Sequence, residues 1–386
     1  RGVKLIRNMS MASSLPASAI AGQVTERLKN EGSLVVCAPP GAGKSTVLPF
    51  AVLDAVPKGE KVLMLEPRRI AARQVAERMA FLAGEKPGGT VGYRMRFESR
   101  VSKQTRIEVL TEGILSRMII DDPTLDGVGA VIFDEFHERS LVADETLALM
   151  RQTRDVLRPY LKIVVMSATI DAREICSGLG AGLVESEGRM FPVEIVHSRT
   201  DADERNAAEA VASAVRAAHS RHEGDILAFL PGEADIRRCA EILGSALGTT
   251  RVFPLYGMLP PDEQRSAIAP SHEGERKVVL ATPIAETSIT IEGVRVVVDS
   301  GLCRKMVYDP QRGLSHLETV RISKDMASQR SGRAGRVAPG VCYRLWSLAT
   351  EKLMAENRRP EILEADLAPL LLDILSWGGA GIADLP

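Results

Sequence analysis

The chain has 386 residues, enough for two or three domains, and its 45% hydrophobic and 26% charged residues are ordinary for a globular protein. No apolar run is long enough to span a bilayer and no secretory signal is visible, so we expect no membrane association. A net charge of −1 requires any nucleic-acid partner to be held by a local lining of Arg and Lys.

Two residue types argue against particular functions. Aromatic residues make up only 4% of the chain, which disfavours extensive base stacking and favours contacts that follow a nucleic-acid backbone. The five cysteines are scattered without the paired spacing of a zinc site or a disulfide framework. We therefore expect a reducing, cytoplasmic setting.

The first half of the chain alternates strand-like and helix-like segments. Residues 1–14 are set aside as disordered or artificial sequence. The next domain, residues 15–198, is predicted to be a parallel sheet with helices on both faces, and ligands are expected at the carboxyl ends of its strands. The predicted strands are Ser33–Cys37, Lys61–Leu65, Ile107–Leu110, Ala130–Phe133 and Lys162–Met166, and the predicted helices include Ala71–Leu82 and Leu141–Arg151.

The first strand runs directly into Ala38–Thr46, which has the pattern of a phosphate-binding loop with Ala38 in place of its first glycine. Glycines let backbone N–H groups approach phosphates, Lys44 would reach the β- and γ-phosphates, and the Ser45 hydroxyl would bind Mg²⁺. The alternative is a glycine-rich turn before an ordinary helix. A strand before and a helix after favour the phosphate loop. The predicted nucleotide contacts here are Gly41, Ala42, Gly43, Lys44, Ser45 and Thr46.

Two adjacent carboxylates, Asp134 and Glu135, come directly after the strand Ala130–Phe133. Asp134 is predicted to hold Mg²⁺ directly or through water, and Glu135 to share in that site and to polarise an attacking water. A solvated acidic turn is the alternative. His137 either couples nucleotide state to another domain or caps a helix. Ser167–Thr169, after the next strand, is either a common turn or a link between hydrolysis and domain closure.

The second half of the chain repeats the alternation after an aperiodic stretch, Ser186–Arg199, which we interpret as the exit from the first domain. Residues 199–358 are predicted to form a second sheet domain without a phosphate loop of its own. Its predicted strands are Ile226–Leu230, Arg251–Leu255, Lys277–Ala281 and Val294–Val298, and its predicted helices are Ala207–His219, Gly232–Leu247 and Pro261–Ile268.

Two further segments carry local signals. Val298–Ile322 contains two candidate strands about a Pro-x-x-Gly turn, either an ordinary edge hairpin or one that projects from the domain. Pro360–Trp377 is predicted to be a helix with apolar residues that need a partner surface, at the start of another domain comprising residues 359–386.

The octapeptide Gln329–Arg336 places arginines at every third position: Arg330, Arg333 and Arg336. That spacing brings them near one face of a helical or turn-like segment, and guanidinium groups bind phosphate oxygens bidentately. A solvated basic turn is the alternative. Since the phosphate loop lies far upstream, we predict that one domain holds a nucleotide and the other completes the site. Arg330 is included by spacing alone and serves either structure or the nucleic-acid side.

Taken together, the ordered motifs resemble those of the DEAH/RHA branch of superfamily 2 helicases, and the resemblance covers Leu15 to Trp377. It implies an α/β fold of two tandem RecA-like domains and then the beginning of a winged-helix domain. It also implies ATP and Mg²⁺ as cofactors. The motifs that carry it are Ala38–Thr46, Glu66–Arg69, Val91–Arg96, Thr111–Gly113, Asp134–Ser140, Ser167–Thr169, Ala281–Gly293 and Gln329–Arg336.

The resemblance also implies roles for individual residues. Gln329 would position the attacking water, while Arg333 and Arg336 would reach the γ-phosphate as arginine fingers. Arg78 would stack on the nucleotide base, and the hairpin Val298–Ile322 would help to separate strands. Thr290 and Glu292 belong to the implied nucleotide-binding set, and the implied contacts to the nucleic-acid backbone are Arg68, Arg69, Thr111 and Thr282.

Three positions depart from the family pattern. Ile268 stands where an aromatic residue often sandwiches the base, which predicts weak base selectivity and acceptance of other NTPs. Pro283 replaces an Asn and puts one nucleic-acid contact in doubt, since proline lacks both an N–H and an amide. Glu292 replaces a common Asp and keeps the charge.

We therefore predict a monomeric, nucleic-acid-stimulated NTPase that moves 3′ to 5′ on single-stranded RNA and unwinds duplexes. Three alternatives remain open at this point: a nucleotide-gated RNA clamp or ribonucleoprotein remodeller that does not unwind processively, a DNA motor, and a scaffold with a dead site. The intact Lys44, Asp134, Glu135, Arg333 and Arg336 argue against the scaffold. No residue identifies a reader of the RNA 2′-hydroxyl.

Overall fold

The structure is a computed structural model that describes residues 15–168, 172–186, 188, 190–286, 289–381, 383 and 385. The predicted N-terminal segment 1–14 and Thr169 of the predicted Ser167–Thr169 motif lie outside the described residues. The chain packs as two units, the first formed by residues 15–188 together with 360–385 and the second by residues 190–359.

The first unit is built on an eight-stranded sheet with the order β4-β3-β5-β2-β6-β7-β1-β8. All neighbouring strands are parallel except β3 and β4. The strands are β1 (Ser33–Cys37), β2 (Lys61–Glu66), β3 (Val91–Met95), β4 (Glu98–Arg100), β5 (Ile107–Thr111), β6 (Val128–Phe133), β7 (Lys162–Ser167) and β8 (Gly182–Glu185). The helices are α1 (Ala17–Asn30), α2 (Lys44–Leu53), α3 (Arg69–Leu82), α4 (Glu112–Asp121), α5 (Leu141–Val156) and α6 (Ala172–Leu179).

The central strands are continuous runs of Val, Leu, Ile and Met because helices cover both faces of the sheet. One apolar cluster lies on each face, and together they bury nearly every residue of β1, β6 and β7. The register sets Cys37 beside Ser167 and Phe133 beside Val165. The carboxyl ends of β1, β7 and β6 therefore meet at one edge of the sheet.

The second unit contains a parallel six-stranded sheet with the order β11-β12-β10-β13-β16-β9, and a separate antiparallel pair, β14 and β15. Its strands are β9 (Val193–His197), β10 (Asp225–Phe229), β11 (Arg251–Leu255), β12 (Lys277–Ala281), β13 (Val294–Asp299), β14 (Leu302–Asp309), β15 (Leu314–Arg321) and β16 (Gly340–Arg344). Its helices are α7 (Ala207–Arg221), α8 (Glu233–Leu243), α9 (Pro261–Ile268), α10 (Lys324–Ser331) and α11 (Leu348–Leu353).

The segment interpreted as an exit contains a strand instead. Residues of β9 pair in parallel with β16, from Val193 beside Gly340 to His197 beside Arg344, so this part of Ser186–Arg199 belongs to the second sheet. An edge strand that is only half-buried carries no clear alternation, so its sequence does not stand out as a strand. Helix α8 is shorter than predicted because Gly244 takes a positive φ of 43° and ends it.

The chain enters the second unit across the segment that comes after α10. Phe191 N donates to Gly335 O at 2.8 Å. A Cβ atom at Gly335 would lie 2.5 Å from Phe191 O and 2.8 Å from a methyl of Val193, so only glycine fits there. The entering strand therefore depends on a glycine of the arginine-rich octapeptide for its position.

After the second unit, residues 360–385 pack on the first. Helix α12 (Ala368–Trp377) buries Leu370 and Ile374, and Trp377 Nε1 donates to Gln152 Oε1 at 2.8 Å. The predicted helix over Pro360–Trp377 is wrong in its first part. It begins only at Ala368, whose N–H is capped by Asp366 Oδ1 at 3.0 Å.

Two neighbouring carboxyl groups, buried Glu145 on α5 and half-buried Asp373 on α12, lie side by side. Burial, and to a lesser extent the neighbouring Asp373 carboxyl, raises the pKa of Glu145 to about 7 from its ordinary 4.5. The folded protein therefore keeps a proton that the unfolded chain releases near pH 4.5, and folding becomes less favourable as pH rises through this window.

We expect Glu145→Gln to increase the free energy of unfolding at pH 8 by on the order of 2 kcal/mol and to leave it nearly unchanged at pH 4. The amide keeps the shape of the protonated acid and has no proton to lose. Denaturant unfolding at both pH values measures this, with the exposed Glu26→Gln as the matched control. An equal effect of Glu145→Gln at the two pH values would contradict the assignment.

Among the described residues, no helix is both long and apolar enough to cross a membrane. No disulfide joins any of the five cysteines, all of which lie in the described part of the chain.

Candidate active site

The loop after β1 leads into the N-terminus of α2. Gly41 and Gly43 have left-handed φ values of 85° and 84°, which bend the backbone into a cup that β-carbons would strain. Ala38, the departure from the loop pattern, is fully buried, and its N–H donates to Ser167 O at 3.1 Å. Alanine is tolerated there because that position ties the loop to β7 and does not face the cup.

Several amides of this loop are left over by the hydrogen bonds of the described residues. The N–H groups of Gly41, Gly43, Lys44 and Ser45 have no hydrogen-bond acceptor among the described residues. Two of them belong to the first turn of α2, where N–H groups lack an intrahelical partner and the helix dipole is positive. Such an arrangement binds phosphate oxygens. Thr46 instead turns its hydroxyl back to Gly43 O at 3.3 Å.

Lys44 lies in a buried cluster of charges. Its Nζ is 2.9 Å from Glu135 Oε1, with both side chains almost fully buried. Burial lowers the pKa of Lys44, but the carboxylates of Glu135, Asp134 and Glu66 outweigh it, so the pKa lies above its ordinary value and the ammonium stays charged. The phosphate loop and the acidic pair are thus brought together as predicted from the sequence.

Asp134 has the environment of a metal ligand. Its Oδ1 accepts the N–H of Glu135 at 2.8 Å, while its buried Oδ2 has no hydrogen-bond partner among the described residues. Burial and the Glu135 charge raise the pKa of Asp134 to about 6, against the opposing effects of Lys44 and of a hydrogen bond from Ser45. An oxygen-only set with one open carboxylate oxygen fits Mg²⁺, which prefers such ligands.

Glu135 is held in an unusual backbone conformation, with φ 50° and ψ 33° in the left-handed region. His137 supports it: its Nε2 lies 3.3 Å from Glu135 Oε2, and its Nδ1 accepts the N–H of Ala168 at 3.2 Å. Since Nδ1 is an acceptor, the neutral ring carries its proton on Nε2, facing the carboxylate. His137 therefore connects the end of β7 to Glu135, and its coupling to another domain stays a prediction.

The three arginines of the octapeptide are not equivalent. Arg330 is completely buried: its Nε is 3.1 Å from Glu286 Oε2, its Nη1 is 2.8 Å from Asp299 Oδ1, and its guanidinium lies 4.9 Å from the ring centroid of Phe229. Two buried carboxylates balance its charge inside the unit, so its guanidinium is committed to the interior. Of the two roles left open by the sequence, Arg330 takes the structural one.

The two predicted fingers sit differently. Arg333 is buried and donates from Nε to Glu286 O at 3.0 Å and from Nη1 to Ile289 O. Arg336 is more exposed, and its Nη1 donates to Thr290 Oγ1 at 3.2 Å. Thus Arg333 is anchored by main-chain carbonyls, while Arg336 is tied to a residue of the predicted nucleotide-binding set.

The predicted nucleic-acid contacts of the first unit lie just after β2 and β5. Arg68 Nη2 pairs with Glu138 at 3.1 Å, just beyond the acidic motif, and Arg69 Nη2 donates to Arg96 O at 3.2 Å. Thr111 is the N-cap residue of α4. Next to it, burial raises the pKa of Glu112 to about 7, although a hydrogen bond from Ser140 opposes the rise.

The other predicted positions lie apart from these clusters. Arg78 lies on α3, with its guanidinium 5.6 Å from the ring centroid of Phe81, and Glu292 is exposed before β13. Ile268 is the last residue of α9 and is partly exposed. Pro283 begins a short 3-10 helix directly after Thr282, a position where a proline's missing N–H costs no hydrogen bond.

Sequence reasoning missed three residues of these sites. Glu66 ends β2 fully buried and acts on the pKa of Lys44, although its motif was assigned to nucleic-acid contacts. Glu286 is fully buried and accepts from Arg330 and Arg358. Glu286 lies within the motif Ala281–Gly293, but its ion-pair partners could not be predicted from the sequence. Arg358 lies outside every motif identified in the sequence.

A phosphate loop after β1, a carboxylate pair after β6 and a second parallel-sheet unit with an arginine motif define a P-loop NTPase of the two-domain RecA-like class. The sequence pattern of the DEAD/DEAH box helicase family matches residues 18–177, and that of the helicase conserved C-terminal domain matches residues 208–338. The chain carries both domains of a DEAD/DEAH box helicase, which confirms the resemblance seen in its motifs.

Proteins of similar sequence and structure are also helicases. It is 48% identical over 368 residues to the ATP-dependent RNA helicase HrpB of Escherichia coli, covering 95% of this chain and 45% of the relative. It is 37% identical over 381 residues to the ATP-dependent RNA helicase HrpA of the same organism, covering 97% of this chain and 29% of the relative. A crystal structure of Escherichia coli DEAH/RHA helicase HrpB superposes with a TM-score of 0.91 at 46% identity, covering 96% of this chain and 48% of that one. The chain thus spans less than half the length of these proteins.

Proposed function

We propose that the chain is the motor core of an ATP-dependent nucleic-acid helicase that steps 3′ to 5′ on single-stranded RNA. The observation that carries this is the buried contact of Lys44 with Glu135, 2.9 Å apart, beside the open amides of the phosphate loop. A lysine for phosphate and a carboxylate for water thus lie in one site. The family resemblance supports RNA and the direction of movement.

In this proposal the loop amides and Lys44 bind the phosphates of ATP. Ser45 and Asp134 would hold Mg²⁺, which neutralises charge on the phosphates when bound. The Lys44 ammonium lies against Glu135 Oε1, and in this proposal Glu135 takes a proton from the attacking water. The His137 ring orients the second oxygen of Glu135, so the carboxylate has one defined direction.

The second unit would contribute Arg333, Arg336 and Gln329. Guanidinium groups stabilise charge that develops on the transferred phosphoryl group, and such a finger contributes on the order of 10³–10⁵ in rate. Arg68, Arg69, Thr111 and Thr282 would follow the nucleic-acid backbone. The ion pair of Arg68 with Glu138 ties one of these contacts to the loop that carries Glu135, which offers a path from nucleic acid to the hydrolysis site.

The test is the rate of ATP hydrolysis by the purified chain with Mg²⁺, measured alone, with single-stranded RNA and with single-stranded DNA of equal length. We expect hydrolysis that RNA stimulates more than DNA, and Lys44→Ala should remove it. No Mg²⁺-dependent hydrolysis would contradict the proposal and favour a scaffold. Stronger stimulation by DNA would indicate a DNA motor.

Base selectivity is measured in the same assay with GTP, CTP and UTP. Ile268 offers only apolar contact to a base, so the four nucleotides should be hydrolysed at comparable rates. A strong preference for ATP would contradict this role of Ile268. Hydrolysis without unwinding of a long duplex would leave a nucleotide-gated clamp or remodeller as the function. Cysteines without a disulfide are compatible with the reducing, cytoplasmic setting expected from the sequence, which remains part of the proposal.

A further inference from the structure

Arg358 lies where the chain of the second unit returns to helix α10. Lys324 N donates to Ala355 O at 2.9 Å, and Asp325 N donates to Glu356 O at 3.0 Å. These amides belong to the first turn of α10, where N–H groups have no intrahelical acceptor. The segment therefore caps the helix, and the position of Arg358 relative to that helix is defined by main-chain hydrogen bonds.

The guanidinium of Arg358 meets three acceptors. Its Nη2 lies 2.7 Å from Glu286 Oε1 and 3.4 Å from Gln329 Oε1, and its Nε lies 3.4 Å from Asp325 Oδ2. The Arg358 side chain is only 15% exposed, and Glu286 is fully buried. A planar fork of donors suits this arrangement, since one rigid group serves acceptors in different directions.

This contact decides which way the Gln329 carboxamide faces. A guanidinium only donates, so it can be met by Oε1 and not by the amide nitrogen. The Nε2 group must then point away from Arg358. Gln329 is 8% exposed, and its Nε2 has no hydrogen-bond partner among the residues that the structure describes. A buried donor held without an acceptor is available to a ligand.

Glu286 connects Arg358 to Arg333, one of the two predicted arginine fingers. Its carboxylate accepts from Arg358 and Arg330, and its main-chain oxygen accepts from Arg333 Nε at 3.0 Å. Arg358 thus contacts Gln329 directly and reaches Arg333 through one residue. The two groups proposed to act on water and on the γ-phosphate are held by a common support.

We propose that Arg358 is a positioning residue for NTP hydrolysis, which turns the amide nitrogen of Gln329 toward the attacking water. This rests on the proposed function, in which Gln329 positions that water. Arg358 itself touches neither nucleotide nor water, so its loss acts on the rate of the chemical step and not on nucleotide affinity.

The experiment compares steady-state ATP hydrolysis of Arg358→Met, Arg358→Lys and wild type, with nucleotide affinity measured separately using a fluorescent ADP. Arg358→Met should lower kcat about tenfold to a hundredfold, the range for losing one charge-assisted hydrogen bond, with ADP affinity unchanged. Arg358→Lys should recover part of the rate, because its ammonium can also only donate and so still favours Oε1 of Gln329, but it lacks the planar fork that serves Glu286 and Gln329 together. Lys352→Met, which removes an exposed cation of the same unit, is the matched control and should match wild type.

A double-mutant cycle separates positioning from a general structural effect. In a Gln329→Ala background, Arg358→Met should lower kcat by much less than it does in wild type, since the group it orients is gone. Fully additive losses, or an unchanged kcat in Arg358→Met, would overturn the inference. If Arg358→Met does not fold, the same comparison is made with Arg358→Lys, whose loss of kcat in the wild-type and Gln329→Ala backgrounds is interpreted in the same way.

The proposed function can fail separately from this inference. If wild type hydrolyses ATP and Glu135→Gln abolishes turnover while Gln329→Ala does not lower it, the proposed function stands and the role of Arg358 is wrong. If wild type hydrolyses no nucleotide, both are wrong.

Discussion

Glu135→Gln should bind ATP as well as wild type and hydrolyse it at least about a thousandfold more slowly. The amide keeps the size of the side chain and can still accept a hydrogen bond from Lys44, but it has no basic oxygen for the proton of water. The charge of Lys44 remains balanced by Asp134 and Glu66, which also raise its pKa, so the phosphate loop should keep its structure. Turnover by rapid mixing and affinity by equilibrium titration measure the two quantities separately.

The control is Asp155→Asn, an exposed carboxylate at the end of α5 that pairs with its neighbour Arg154. It should hydrolyse ATP at the wild-type rate. Near-normal turnover in Glu135→Gln would show that another group takes the proton, and Asp134 would then be the next candidate. A loss of nucleotide binding would instead mean that the carboxylate is needed to hold Lys44 in place.

Arg330→Met should be the most destabilising single change in the second unit, lowering its free energy of unfolding by about 3–5 kcal/mol. It leaves the carboxylate of Asp299 buried without its cation, while Glu286 keeps its ion pair with Arg358. Methionine fills much of the space beside Phe229, so the cost arises chiefly from charge and not from a cavity. Chemical unfolding monitored by a probe in the second unit measures the change.

Arg265→Met provides the comparison, because that arginine makes an exposed ion pair with Asp262 and should shift the transition by less than about 1 kcal/mol. A similarly small shift for Arg330→Met would contradict its structural role. Arg330→Met combined with Asp299→Asn should recover part of the loss, since the second change removes the uncompensated charge.

The fold class and the first-unit site were accessible from the sequence because both rest on local patterns. A continuous apolar run predicts a strand buried on both faces, and the residues directly after such a strand must lie at the sheet edge. Since β1 and β6 end at that edge, the meeting of Lys44 with Glu135 could be inferred from the order of motifs alone. The bounds of Ser33–Cys37 and Pro261–Ile268 were likewise predicted correctly.

The features that could not be predicted from the sequence depend on contacts between segments that are distant along the chain. Equal spacing made Arg330 and Arg333 look alike, and both are buried. Their partners differ, because Arg330 pairs with two carboxylates while Arg333 donates to main-chain oxygens. The strand β9 was missed because it lies at the edge of the sheet and is only partly buried. Its sequence therefore shows no regular alternation of apolar and polar residues. The role of Arg358 could not be predicted, because the Gln329 carboxamide that it contacts is distant in the sequence and no local motif links the two residues.

The close approach at Gly335 couples the backbone of the arginine motif directly to the chain that enters the second unit. The chain enters the second unit at Phe191, whose N–H donates to the main-chain oxygen of Gly335, directly before Arg336. The entering strand and the motif have no side chain between them to absorb movement. Because the two backbones are in direct contact, a displacement of the chain at Phe191 would require the backbone at Gly335 to move with it.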